Sequence, residues 1–339
     1  MTGRERDPGR PRGMEHTDPM QSHRDDHRSD GDDPLDLLAG DIAAAEVLGL
    51  SVAHVPRPGL RGEVLAAAFA ARGPDAAGAG GVVAAPTEAL ARTIADVRSL
   101  VASMDPADAT RITVEGWTIA GLLGHLTAIE EHFGATLGWW PEAGQVADEH
   151  DHLAMTVPAV RVAESLPYEE VRSCWEDTSD RVVARLGSLE DRLAERVDFH
   201  GFDFSIRSLL IARTFEVWTH GEDICRALGR PPVVLDTARL RMMTAAAVGA
   251  LPIGMLLTGA APRGRSVRVV LTGEGGGAWV QALELGAPPG DPAATIVVDA
   301  VEFCRVAAKR LVADDVELSI VGDADLAAEA LSAVAVFAA

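Results

Sequence analysis

Through the middle of the chain, apolar residues return every three or four positions. In the segment from about Thr87 to Ser103, Leu90, Ile94, Val97 and Val101 fall on one helical face, and Thr87 stands where an N-cap is expected. A second segment, about Thr118–Gly138, has Leu122, Leu126, Ile129 and Phe133 as its stripe and Thr118 as its cap. A third, about Tyr168–Leu186, begins after Leu166-Pro167 and carries Val171, Trp175 and Val182. The fourth, about Ser205–Leu228, carries Leu209, Ala212, Phe215, Trp218 and Ile224 and stops at Gly229, ahead of Pro231-Pro232. Four amphipathic helices with irregular connections predict a helical bundle. The longest connection, Trp139–Pro167, shows no clear periodicity, and connections of that length commonly line or cover a site.

Beyond about Ser266 the period changes to alternation. Ser266–Thr272 and Ala278–Leu283 alternate around a glycine-rich turn at Gly275–Gly277, which predicts a β-hairpin. Thr295–Asp299 reads as a strand, Ala300–Leu311 as a helix, Val316–Val321 as a strand and Asp325–Phe337 as a helix. The predicted fold class is therefore α+β multidomain, with a four-helix bundle over residues 83–232 followed by a small α+β C-terminal domain over residues 233–339.

The front of the chain patterns differently. Residues 1–34 have almost no apolar content, which predicts a disordered acidic tail with no signal-peptide core; His16, His23 and His27 are scattered through it. Residues 35–82 read as accessory helices and a linker, with two helical pieces broken at Pro56–Gly59 and a linker composition over Gly73–Gly81. Thr244–Ala261 is uncharged over nearly the ~20 residues a membrane span needs. Pro252, its glycines, and arginines at both ends (Arg239, Arg241, Arg263 and Arg265) favour a buried helix and connector instead.

Composition narrows the partners. The 339 residues carry 30 Lys+Arg against 51 Asp+Glu, a formal net charge of -21, which excludes the basic footprint of nucleic-acid or anionic-membrane binding. Aromatics are only 4%, so the core must be built from Ala, Val and Leu. The three cysteines, Cys174, Cys225 and Cys304, are far apart, which excludes a disulfide framework and any CxxC motif. A reducing, cytoplasmic location fits, with Cys174 and Cys225 read as small buried apolar residues.

Two segments carry chemistry. Glu216 and His220 are four apart on the fourth helix, so one face presents a carboxylate and an imidazole to a common point. Asp223 follows near that face, placed to orient the second ring nitrogen of His220. Taken alone, the same spacing also serves a solvated helical ion pair. His125 sits in the middle of an otherwise apolar face of the second helix, where a satisfied core histidine is the simpler reading. If the bundle brings the two helices together, His125, Glu216 and His220 make a three-ligand site with one coordination position open, the arrangement of catalytic rather than structural zinc. Asp148, His150 and His152 in the long connection, and His132 on the His125 face, are further polar candidates near such a site.

These segments carry a resemblance. Glu115-Gly-Trp-Thr-Ile-Ala-Gly-Leu-Leu-Gly-His125-Leu, and Arg213-Thr-Phe-Glu216-Val-Trp-Thr-His220-Gly-Glu-Asp223-Ile, resemble the two hallmark segments of the mycothiol-dependent maleylpyruvate isomerase family, a branch of the DinB-like metal-binding bundles. Gly229–Pro232 after the second segment also resembles the family, and the strand and helix pattern of the tail is similar to that family's sterol-carrier-like C-terminal domain. The resemblance implies a divalent metal, zinc foremost, held by His125, Glu216 and His220, with mycothiol as thiol co-substrate. It further implies a thiolate that adds to a small electrophilic substrate: addition and elimination isomerises, addition alone makes an S-transferase. An arginine of the C-terminal domain is expected at the substrate. The position that fits is Arg310, although the family shows Gly-Arg where this chain has Lys309-Arg310.

Residues 36–72 lie outside that resemblance. They are similar to the segment after the zinc module of actinobacterial anti-sigma factors, but no cysteine precedes Cys174, so the module itself is absent. This leaves a helix pair able to dock a protein partner. The alternative function is then a non-enzymatic regulatory protein that binds metal or ligand with the same bundle.

Overall fold

The computed structural model describes residues 82–140, 152–199, 202–260 and 262–335, so the expectations for residues 1–34, for nearly all of 35–82, and for Asp148 and His150 lie outside the described residues. The bundle is built by α1 (Pro86–Ala102), α2 (Ile119–Thr136), α3 (His152–Ser165), α4 (Tyr168–Leu186) and α5 (Ile206–Leu228). A short antiparallel hairpin, β1 (Arg196–Phe199) and β2 (Phe202–Ser205), leads into α5.

The caps explain where these helices begin. Thr118 accepts from the Gly121 amide at 3.0 Å and starts α2, and Ser205 accepts from the Ser208 amide at 3.0 Å and starts α5. Helix α1 differs from expectation: Thr87 lies inside it, and Pro86, with its φ preset for a first helical turn, opens it after Ala85. Helix α5 ends at Gly229, whose φ of 64° closes the last turn in the left-handed region.

The long connection between α2 and α4 is partly helical. Pro158 lies within α3, on its exposed side, while Thr156, Val160 and Ala163 form a narrow buried stripe. The mid-helix proline is what hid this element, because it removes a backbone donor where a helix ordinarily uses it. Helix α3 packs closely on α2 through glycine: a Cβ at Gly124 would stand 2.5 Å from Ala163 Cβ and 2.8 Å from the Ala159 carbonyl oxygen.

The C-terminal part starts with α6 (Thr237–Gly249) and α7 (Leu251–Leu257). This pair, which contains most of the uncharged stretch, bends by 41°, and among the described residues no single helix is long and apolar enough to cross a membrane. Most of the pair is buried, including Met243, Val248, Leu251, Ile253 and Met255. Then follow β3 (Ser266–Thr272), β4 (Gly277–Ala282), β5 (Pro292–Asp299), α8 (Ala300–Ala307), β6 (Ser319–Gly322) and α9 (Ala324–Val334). The sheet order is β4-β3-β5-β6, with β3 and β5 parallel and both outer pairs antiparallel. One face, with Val267, Val269, Leu271, Trp279, Ile296 and Val298, is buried in a cluster with residues of α6 to α9. Helix-rich first part and small sheet-containing second part together make the α+β fold expected from the sequence.

Helix α8 stops at Ala307, short of the expected Leu311. Ala308 caps it, the Lys309 amide donates to the Val306 carbonyl at 3.0 Å and the Arg310 amide to that of Arg305 at 2.8 Å. That is the paired bonding of a Schellman turn, and Lys309 takes its left-handed position with φ 51°.

Helix α5 belongs to both cores. Leu209, Leu210, Ala212, Val217 and Ile224 pack in the bundle, whereas Ile211, Phe215 and Trp218 pack with Leu240, Met243, Val267 and Phe303. Every residue from Ser208 to Cys225 is buried. A helix enclosed on all sides cannot leave its polar groups to solvent, so each polar side chain it carries must find a partner inside the protein.

Candidate metal centre

Four of the polar residues of α5, Arg213, Glu216, His220 and Asp223, find those partners around one group. His125 on α2 faces Glu216 and His220 on α5, and these three offer one ligand atom each, all within 4.8 Å of one another. Among the described residues this is the one group of three His, Cys, Asp or Glu side chains at such separations. The His125 and His220 ring centroids are 5.0 Å apart at an interplanar angle of 80°. His125 is fully buried, whereas Glu216 and His220 keep 9% and 8% exposure, so solvent reaches the α5 side of the group.

Each of the three is held from behind. His125 Nδ1 meets the Thr156 hydroxyl of α3 at 2.8 Å, and its Nε2 lies 3.2 Å from Glu216 Oε1. The other Glu216 oxygen, Oε2, accepts from Arg213 Nη1, and Arg213 Nη2 donates to Glu130 Oε1 at 3.0 Å. His220 Nδ1 meets Asp223 Oδ2 at 3.2 Å, leaving its Nε2 for the shared space. With Nδ1 engaged on both rings, the remaining imidazole nitrogens and a carboxylate oxygen converge. Metal-bound histidines use this pattern, in which the outer bond fixes both tautomer and ring direction.

The charges behind the group are buried and paired. Arg213 and Glu130 are both fully buried. Burial works against the charge on Arg213, but Glu216 and Glu130 outweigh it and keep the guanidinium protonated. Burial pushes the Glu130 carboxyl above its usual range against the opposing pull of Arg213. Burial would also raise Asp223, but its hydrogen bonds with His220 and Arg310 prevail and hold its carboxyl at about 2.

The donor set suits zinc. Two imidazoles and one carboxylate are a recurrent set for catalytic zinc, and such a set leaves a position open. The 3.2 Å between His125 Nε2 and Glu216 Oε1 matches the separation of two ligands on one tetrahedral zinc, roughly 3.3 Å for bonds near 2.05 Å. Trp117, half-buried, forms one wall, its ring centroid 5.1 Å from that of His125.

The other candidates are placed differently. Arg310 lies in the turn after α8, and its side chain keeps only 7% exposure. Its Nε and Nη2 donate to the Asp223 carboxylate and its Nη1 to the Ala308 carbonyl. His132 stacks on Phe199, centroids 4.7 Å apart, and is not part of the group. Cys225 and Cys304 are buried, but Cys174, expected to be buried, is exposed. It precedes the fully buried Trp175 on α4, and adjacent residues of a helix point to different sides.

Sequence reasoning missed Thr156, Glu130 and the role of Arg213. Thr156 belongs to the helix that Pro158 disguised, and Glu130 reads as one more charge on an amphipathic surface. Arg213 carried a readable signal: an arginine three residues before a glutamate, inside an otherwise apolar run, has to be paired.

Comparison with known proteins places the bundle. Residues 87–225 match the family model described as the mycothiol maleylpyruvate isomerase N-terminal domain. Over 240 residues, the chain is 28% identical to uncharacterized proteins of Mycobacterium tuberculosis strains CDC 1551 / Oshkosh and ATCC 25618 / H37Rv, covering 67% of this chain and 86% of each relative. Crystal structures of the mycothiol-dependent maleylpyruvate isomerase and of a mutant of it superpose with a TM-score of 0.46, at 17% and 16% identity, over 69% of this chain and 91% of theirs. The stretch matched by that family model, residues 87–225, holds all three convergent side chains.

Proposed function

We propose that the protein is a metal-dependent, thiol-activating enzyme, with zinc held by His125, Glu216 and His220, and mycothiol as the thiol. The observation that carries this reading is the convergence of three ligand atoms within 4.8 Å, each residue fixed from behind by a separate partner. When bound, a divalent cation supplies the acidity that keeps a neighbouring thiol ionised at neutral pH. The protein's residues do the rest. Thr156 and Asp223 set the two imidazole directions, and Arg213 holds the far oxygen of Glu216 so that one oxygen is presented. Glu216 and His220 carry what exposure the group has, on the side from which thiol and substrate would approach, and Trp117 offers an apolar wall beside His125. The reaction class is attack of sulfur on an electrophilic carbon, as an isomerase or an S-transferase. The unpaired Cys174, Cys225 and Cys304 agree with a reducing cytoplasm.

Cobalt substitution tests the reading. The cobalt-loaded protein is expected to show visible bands of a low-coordinate site, and millimolar thiol to add a sulfur-to-cobalt charge-transfer band. Bands that ignore thiol would refute thiol activation and leave a metal-binding bundle.

A further inference from the structure

Two adjacent carboxylates near the end of α5 are gripped from the C-terminal part. Arg305 of α8 forks onto Glu222, with Nε to Oε2 and Nη2 to Oε1 both at 2.8 Å. Arg310 forks onto Asp223, with Nε at 2.9 Å from Oδ1 and Nη2 at 2.8 Å from Oδ2. Both carboxylates are buried, at 4% and 2% exposure. Only Asp223 also meets a candidate ligand, His220 Nδ1 at 3.2 Å.

We propose that Arg310 is a positioning residue of the metal centre. By locking the plane of the Asp223 carboxylate it aims His220, so the C-terminal part completes a site whose ligands all lie in the bundle. The inference rests on the metal-centre reading above. Three features of the geometry support it. First, every nitrogen of the Arg310 guanidinium is engaged within the protein, two of them on Asp223 and the third on the Ala308 carbonyl. A fork so committed acts on Asp223 rather than on a substrate. Second, Asp223 accepts from both sides: Oδ2 takes the His220 ring and Arg310, and Oδ1 takes Arg310 and the largely exposed Arg226. Rotation of the carboxylate to release His220 would break the planar two-bond match with Arg310, which is the geometric constraint a guanidinium imposes and an ammonium cannot. Third, the Schellman turn with Lys309 in the left-handed region fixes the backbone that delivers Arg310.

Arg305 is the internal control, because it grips the same seam through Glu222 without touching a ligand's partner. The test is cobalt(II) affinity, by chelator competition, for the full chain and for Arg310→Met, Arg310→Lys and Arg305→Met, with thermal unfolding of each metal-free protein. Arg310→Met is expected to lose about 10-fold or more in affinity, the usual consequence of removing an outer-sphere partner. Arg310→Lys should recover part of that loss, and Arg305→Met should stay within about 2-fold of wild type while losing comparable thermal stability. Equal affinity in wild type and Arg310→Met would overturn the proposal. So would an equal loss in Arg305→Met, which would assign the effect to general loosening of the seam. If Arg310→Met does not fold, Arg310→Lys decides, since wild-type affinity there would show that the fork is not needed. Failure of the wild type itself to bind cobalt would instead refute the metal-centre reading.

Discussion

Arg213 and Glu216 are joined on the carboxylate oxygen opposite the one that faces His125. The glutamate is therefore shared between a fixed cation one turn back on its own helix and the space where a second cation is proposed. Arg213 is in turn anchored across the bundle by Glu130 on α2. Removing Arg213 leaves two buried carboxylates uncompensated, so Arg213→Met is expected to cost about 3–5 kcal/mol of stability. Chemical denaturation reads this directly; a loss below about 1 kcal/mol would mean that the pair is not formed in solution.

Thr156 gives a test that spares the fold. Thr156→Val keeps the shape of the side chain and removes the hydroxyl that His125 Nδ1 meets at 2.8 Å. Metal affinity should fall by about 10-fold to 100-fold. An unchanged affinity would show that the His125 ring is held by packing alone.

The glycine contact between α2 and α3 predicts a related effect from steric cause. A methyl group at Gly124 meets Ala163 and the Ala159 carbonyl at separations no packed core tolerates, so Gly124→Ala must push α3 outward. The expected cost is about 1–3 kcal/mol, and with Thr156 displaced, metal affinity should fall as well. Thermal unfolding with and without zinc separates the two: the stabilisation that zinc gives should shrink in this variant.

Glu130 predicts a pH dependence. Burial raises its carboxyl above the usual range, with Glu216 and Glu131 adding to the rise and only Arg213 opposing it. A carboxyl raised on folding stabilises the fold at acidic pH, and that contribution is lost as pH climbs from the ordinary carboxylate range through its raised folded value. Glu130→Gln cannot titrate, so its stability curve should lack this decline. Parallel curves for the two proteins above about pH 4.5 would contradict the assignment.

Much of the bundle was readable because its helices obey simple rules. Thr118 and Gly229 stand where a cap and a stop are wanted, and stripes such as Leu122, Leu126, Ile129 and Phe133 are all buried. Likewise His125, Glu216 and His220 could be gathered from spacing and resemblance. Asp223 behind His220 was readable too; the rest of what holds them was not, because Thr156, Glu130 and Arg310 touch their partners across 31, 83 and 87 positions of sequence, and local periodicity carries no such information. Lys309 is a middle case. Its departure from the family's glycine is visible in the sequence, but only the left-handed φ of 51° shows that the position wants glycine. Lys309→Gly should accordingly raise stability by up to about 1 kcal/mol without moving Arg310.

The central claim is a single cation shared by three side chains, and X-ray absorption at the zinc edge on zinc-loaded protein tests it most directly. The account predicts one zinc per chain, with a first sphere of nitrogen and oxygen at about 2.0–2.1 Å and outer-shell scattering from two imidazoles, and stoichiometric zinc lost in both His125→Ala and His220→Ala. A sphere that lacks imidazole scattering, or full zinc retention in either variant, would contradict it.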